Sequence, residues 1–116
     1  VFDLLDDQVS AIDAAVALGF DRILTSGGKV RAGDAVPAFA RLVDRAGAAV
    51  GILAGGGLVP ESVPALQAVG VREFHASCRS DVAGDVEPKL TELGFALGNP
   101  RATDVARVRA YISAIA

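Results

Sequence analysis

Apolar residues recur along this chain in two alternating rhythms. Stretches with helical spacing are each followed by a short, nearly unbroken apolar run, and a glycine parts one from the other. Asp6 or Asp7 can cap the first helical stretch, residues 8–18, whose inward stripe reads Val9, Ile12, Ala15 or Val16, and Leu18. Gly19 stands where a helix passes into left-handed backbone. Residues 22–26 then read as a strand ending in Gly27-Gly28. A polar turn, 29–34, leads to a second helix over 36–46, with Phe39, Leu42 and Val43 on one side and Gly47 as its stop. The second strand, 50–54, runs into Gly55-Gly56-Gly57. A third helix over 61–69 stops at Gly70, and residues 72–77 form the third strand. Residues 81–100 are polar, hold two prolines and lack a clear period, which predicts a long loop with one short helical turn. Thr103 caps a last helix over 104–115, with Val105, Val108, Ile112 and Ile115 on its stripe.

Helix, glycine, strand and small-residue turn, repeated three times, call for parallel strands joined by right-handed crossovers. The spacing of Gly19, Gly47 and Gly70 suits consecutive sectors of a (β/α)8 TIM barrel, with a flavodoxin-like open sheet as the alternative. All three strands end in small or hydroxyl residues, as a shared barrel mouth requires. Composition sharpens this picture. The chain is 52% hydrophobic but only 5% aromatic, with mean hydropathy +0.44. At 116 residues it makes one domain or a piece of one, and so high an apolar load suggests a surface meant for a partner. If these sectors are only part of a barrel, its open sheet edges and uncovered inner face point toward a homo-oligomer. A net charge of −3 and a pI of 5.0 favour neither nucleic acid nor an anionic membrane. No apolar run nears the roughly 18 residues of a membrane helix. One cysteine, Cys78, fits a reducing cytoplasm.

Two groups of residues have the chemistry for a site. Three glycines between a strand and a helix bring bare backbone N–H groups to the strand end, which suits an anion. Thr25, Ser26 and Gly27, then Gly55, Gly56 and Gly57, then Ser77 and Arg79, would make a rim for a phosphorylated or carboxylated small molecule. A tight turn with no ligand, or close approach of a neighbouring backbone, accounts for the same glycines. The second group is on the third strand, where alternation puts Glu73, His75 and Ser77 on one face and Phe74, Ala76 and Cys78 on the other. His75, the one histidine, is the candidate acid or base; a buried imidazole bonded to Glu73 is the structural alternative. Copper finds few donors. Cu(I) prefers thiolate and thioether sulfur, and this chain offers Cys78, His75 and no methionine, with the two ligands on opposite faces.

Phe2-Asp3, Arg22-Ile-Leu-Thr-Ser-Gly27, Gly55-Gly-Gly57, Glu73-Phe-His-Ala-Ser77 and Arg79-Ser80 occur in that order, followed by Thr103-Asp104-Val105 and Arg107-Val108-Arg109. Together they resemble the CutC family, the copper homeostasis proteins. The resemblance implies a TIM barrel of which residues 1–116 are the second half, strands six to eight. It also implies a cytoplasmic protein with copper as the bound ion, and it makes Asp3, the acid of the Phe-Asp motif, a second catalytic candidate beside its plainer reading as a helix cap. The alternative is an enzyme acting on a small anionic metabolite at the barrel mouth, with His75 as acid or base.

Overall fold

The computed structural model describes residues 2–96 and 99–116. Two compact units emerge: one spans Val1–Ala76 with Ala114–Ala116, the other Ser77–Ser113. The first holds a parallel three-stranded sheet in sequence order, β1 (Arg22–Thr25), β2 (Gly51–Ala54) and β3 (Glu73–Phe74). Arg22 faces Gly51 in the first ladder and Leu53 faces Glu73 in the second. Three helices accompany these strands: α1 (Gln8–Ala17), α2 (Val36–Ala46) and α3 (Val63–Ala68). The described chain is therefore mixed α/β with parallel strands, as the glycine-punctuated pattern predicts.

Local chemistry explains the helix ends. The Asp7 carboxylate accepts from the Ser10 amide at 3.0 Å and the Ser10 hydroxyl at 2.6 Å, capping α1. Gly19 follows at φ +77, and Gly47 ends α2 at φ +51, where L-residues are strained. The core lies on one side of the sheet. Ile12 of α1, Phe39 and Leu42 of α2, and Val63 and Leu66 of α3 are buried with Ile23, Thr25, Ile52 and Ala54 of the strands. The other face of the sheet is open: Arg22 is exposed, Leu24 is 49% exposed and Leu53 is half-buried.

Several boundaries differ from expectation. The inward stripe of α1 is narrower, since Val16 and Leu18 are exposed and only Ile12 and Ala15 are buried. The polar turn at 29–34 runs into a 3-10 turn, Ala32–Ala35, which buries both alanines. A 3-10 turn at Pro60–Ser62 occupies the predicted start of the third helix, and α3 proper begins at Val63. The third strand shrinks to Glu73–Phe74, although the His75 amide still donates to the Ala54 carbonyl at 2.8 Å.

In the second unit β4 (Arg79–Asp81) pairs antiparallel with β5 (Arg101–Thr103), and α4 (Pro88–Glu92) supplies the short helical turn between them. The expected loop with its helical turn lies between the two strands, of which only Asp81 falls within 81–100; the strand pair itself was not expected. α5 (Val105–Ile115) follows β5, and its cap is Asp104, not Thr103. The Asp104 carboxylate accepts from the Ala106 amide at 2.8 Å and from the Ser80 hydroxyl at 3.0 Å, while Thr103 belongs to β5. Of the expected α5 stripe, Val105, Ile112 and Ile115 are exposed and Val108 is half-buried.

Candidate functional site

The C-terminal ends of parallel strands carry the candidate groups, and the first such end is already occupied. Thr25, 1% exposed, donates its hydroxyl to Asp3 Oδ1 at 2.5 Å. The Ser26 amide reaches both Asp3 oxygens at 3.1 Å, and the Gly28 amide reaches Oδ1 at 3.0 Å. The Gly27 amide donates to Thr25 Oγ1 at 2.9 Å and so orients that hydroxyl toward the carboxylate. Gly27 and Gly28 have φ of +69 and +74, which turn successive N–H groups toward one point. Burial pushes the Asp3 carboxyl up, and the hydrogen bonds from Thr25, Ser26 and Gly28 outweigh it, holding it below the usual 3.8. Asp3 is thus a tie between the Phe2–Leu4 turn and the end of β1, and Asp7 does the capping.

The triple glycine is explained by what lies against it. A Cβ at Gly55 would stand 2.7 Å from a Leu24 methyl and 3.2 Å from His75 Cβ. At Gly56, φ +95, it would stand 2.9 Å from Ser26 Cβ; at Gly57, φ +51, it would stand 3.0 Å from the Val30 carbonyl. The Gly55 amide donates to the Thr25 carbonyl at 2.9 Å, and Gly56 accepts from the Ala32 amide at 2.8 Å. The two glycine turns therefore pack directly on each other. These contacts fit the close approach of neighbouring chain, one of the accounts that the sequence leaves open.

His75 is exposed just past the end of β3. Glu73 does not pair with it: its Oε2 accepts from Arg22 Nε at 2.6 Å, across Gly51, whose missing side chain leaves room for the bridge. Ser77, Cys78 and Arg79 lie in the second unit. There the Cys78 carbonyl accepts from the Asp104 amide at 2.8 Å, and the Arg79 carbonyl accepts from Arg101 at 3.2 Å. Cys78 is a half-buried free thiol at φ +49, an uncommon conformation for a residue with a side chain. Among the described residues no three His, Cys, Asp or Glu side chains gather as metal ligands. Of the sulfur ligands that Cu(I) prefers, this chain has Cys78 alone. The feature that sequence reasoning missed is the Asp3 tie. The Thr-Ser-Gly-Gly turn signalled an anion, but nothing in the spacing named an acid over 20 residues upstream.

A profile of the CutC family matches residues 1–80. This chain belongs to the CutC family. Relatives named as family protein CutC agree along nearly its whole length. The one from Rhizobium meliloti (strain 1021) is 40% identical over 111 residues, covering 94% of this chain and 44% of the relative. That from Xanthomonas campestris pv. campestris (strain B100) is 42% identical over 114 residues, 95% and 46%. That from Caulobacter vibrioides (strain NA1000 / CB15N) is 40% identical over 116 residues, 98% and 47%. This CutC-family chain spans less than half the length of these relatives. No helix among its described residues is long and apolar enough to cross a membrane.

Proposed function

We propose that this chain is the C-terminal half of a CutC-type (β/α)8 barrel, and that the whole protein works in the cytoplasm in copper homeostasis. The observation that carries the architecture is the one-sided sheet: helices and core on one face, Arg22, Leu24 and Leu53 on the other. A barrel interior is such a face, filled by the strands opposite. Length agrees. The 111 matched residues are 44% of the Rhizobium relative, so roughly 140 of its residues lie outside the match. At the roughly 25 residues that separate β1, β2 and β3, this leaves room for about five more strand–helix units.

In this reading residues 1–116 provide part of the barrel mouth, with His75 as the group of this half that faces a ligand. Copper donors must then come mainly from the other half. Cu(I) titration under reducing conditions, in competition with a chromophoric chelator, tests this. The intact protein should take up copper stoichiometrically and residues 1–116 alone should not. An intact protein that never competes with the chelator would remove copper from the account. Stoichiometric binding by residues 1–116 would show that the donors had been misplaced. The second reading, an enzyme acting on a small phosphorylated or carboxylated metabolite, rests on the exposed imidazole of His75 at a strand end.

A further inference from the structure

The turn after β1 is built like an anion site and is filled by the protein's own side chain. Three donors converge on Asp3 Oδ1: the Thr25 hydroxyl at 2.5 Å, the Ser26 amide at 3.1 Å and the Gly28 amide at 3.0 Å. The Ser26 amide also reaches Oδ2 at 3.1 Å, so it straddles the two oxygens, which matches a planar carboxylate. The cradle is rigid. Thr25 is buried at its floor, its hydroxyl is oriented by the Gly27 amide, and a Cβ on Gly27 would lie 2.6 Å from Ala35 Cβ. The arm that carries the carboxylate is not held by burial: none of Phe2–Leu4 is buried, and Leu4 is 82% exposed. Its carboxylate is what hydrogen-bonds this arm to the end of β1.

We propose that residues 25–28 form a carboxylate-binding cradle for which Asp3 is a built-in, displaceable occupant, and that the cradle accepts a small free carboxylate once Asp3 is withdrawn. The reason is preorganisation. The donors are fixed by the end of β1, by positive-φ glycines and by the core, none of which depends on Asp3 being covalently near. In the protein, a ligand carboxylate arriving at this strand end would compete with Asp3 for these donors. The inference does not depend on copper or on the barrel, since every group in it lies within one unit of this chain.

Chemical rescue tests it. The thermal unfolding of Asp3→Ala is followed by far-UV circular dichroism in sodium formate and in sodium chloride at equal ionic strength, beside the unsubstituted chain. Formate should raise the midpoint of Asp3→Ala above its chloride value by several degrees and in a saturable way. The unsubstituted chain, with its cradle filled, should respond equally to the two salts. If Asp3→Ala is unfolded in chloride, formate should restore its helical signal. Asp3→Asn, whose amide still fills the space, should show no difference between the salts. Superimposable formate and chloride responses of Asp3→Ala, folded or unfolded, would overturn the proposal, as would a saturable formate response in the Asp3→Asn variant.

Discussion

Gly56 shows what one residue must do to let two turns meet. Its backbone sits at φ +95, and a side chain there would run into Ser26 at 2.9 Å. Gly56→Val should therefore destabilise the fold by about 2–4 kcal/mol, the sum of left-handed strain and overpacking. Gly19, at φ +77 with open space around it, pays for the backbone alone, and Gly19→Ala should cost about 1–2 kcal/mol. Urea unfolding of the two variants compares them directly; equal losses would mean that the packing of the two turns contributes nothing. Asp3 makes a pH prediction of determinate sign. Its carboxyl is held below 3.8 in the folded protein, so its stabilisation is fully present above that unfolded value. It is lost as pH falls through the lower, folded value. Asp3→Asn should thus be less stable than the parent at pH 7, and the two should converge below pH 3.8 in a series of urea midpoints. Both sites were half legible in the sequence. Glycine runs marked the turns, because only unusual backbone requires them, but their neighbours are set by tertiary contact, which no local pattern records.

Elements with strong apolar period were readable almost to the residue. α1, α2 and the first two strands lie where alternation of helical and extended runs puts them, because burial decides both period and position. β4 and β5 were not readable. They are three-residue strands of exposed, polar sequence, Arg-Ser-Asp and Arg-Ala-Thr, held by an antiparallel ladder rather than by a buried face. The same blind spot misassigned the α5 cap. Thr103 carries the right side chain, but its backbone is engaged in β5, and Asp104 takes the capping role with Ser80 bonded to its other oxygen. Asp104→Ala should lower both the helical signal and the unfolding temperature. Thr103→Ala should shift stability by no more than about 0.5 kcal/mol. The reverse order would restore Thr103 as the cap.

The whole molecule is governed by the one-sidedness of its parallel sheet. Leu24 lies on the open face with about half its surface in water, whereas fully covering a leucine contributes about 1.5–3 kcal/mol. A partner that covers Leu24 and Leu53 is therefore favoured on hydrophobic grounds, and relatives more than twice as long as the match contain enough chain to supply it. Family membership was legible because short motifs kept their order along the chain. Under the half-barrel reading, what covers the open face would come from other chain and so leaves no mark in the pattern of these 116 residues. Thiol accessibility at position 24 tests this directly. In a Cys78→Ser background, which removes the one native thiol, Leu24→Cys is reacted with a thiol-specific chromophore in residues 1–116 and in the intact protein. If the open face becomes a barrel interior, the thiol should react readily in the short chain and at least about tenfold more slowly in the intact protein. Equal rates in the two would contradict the half-barrel account.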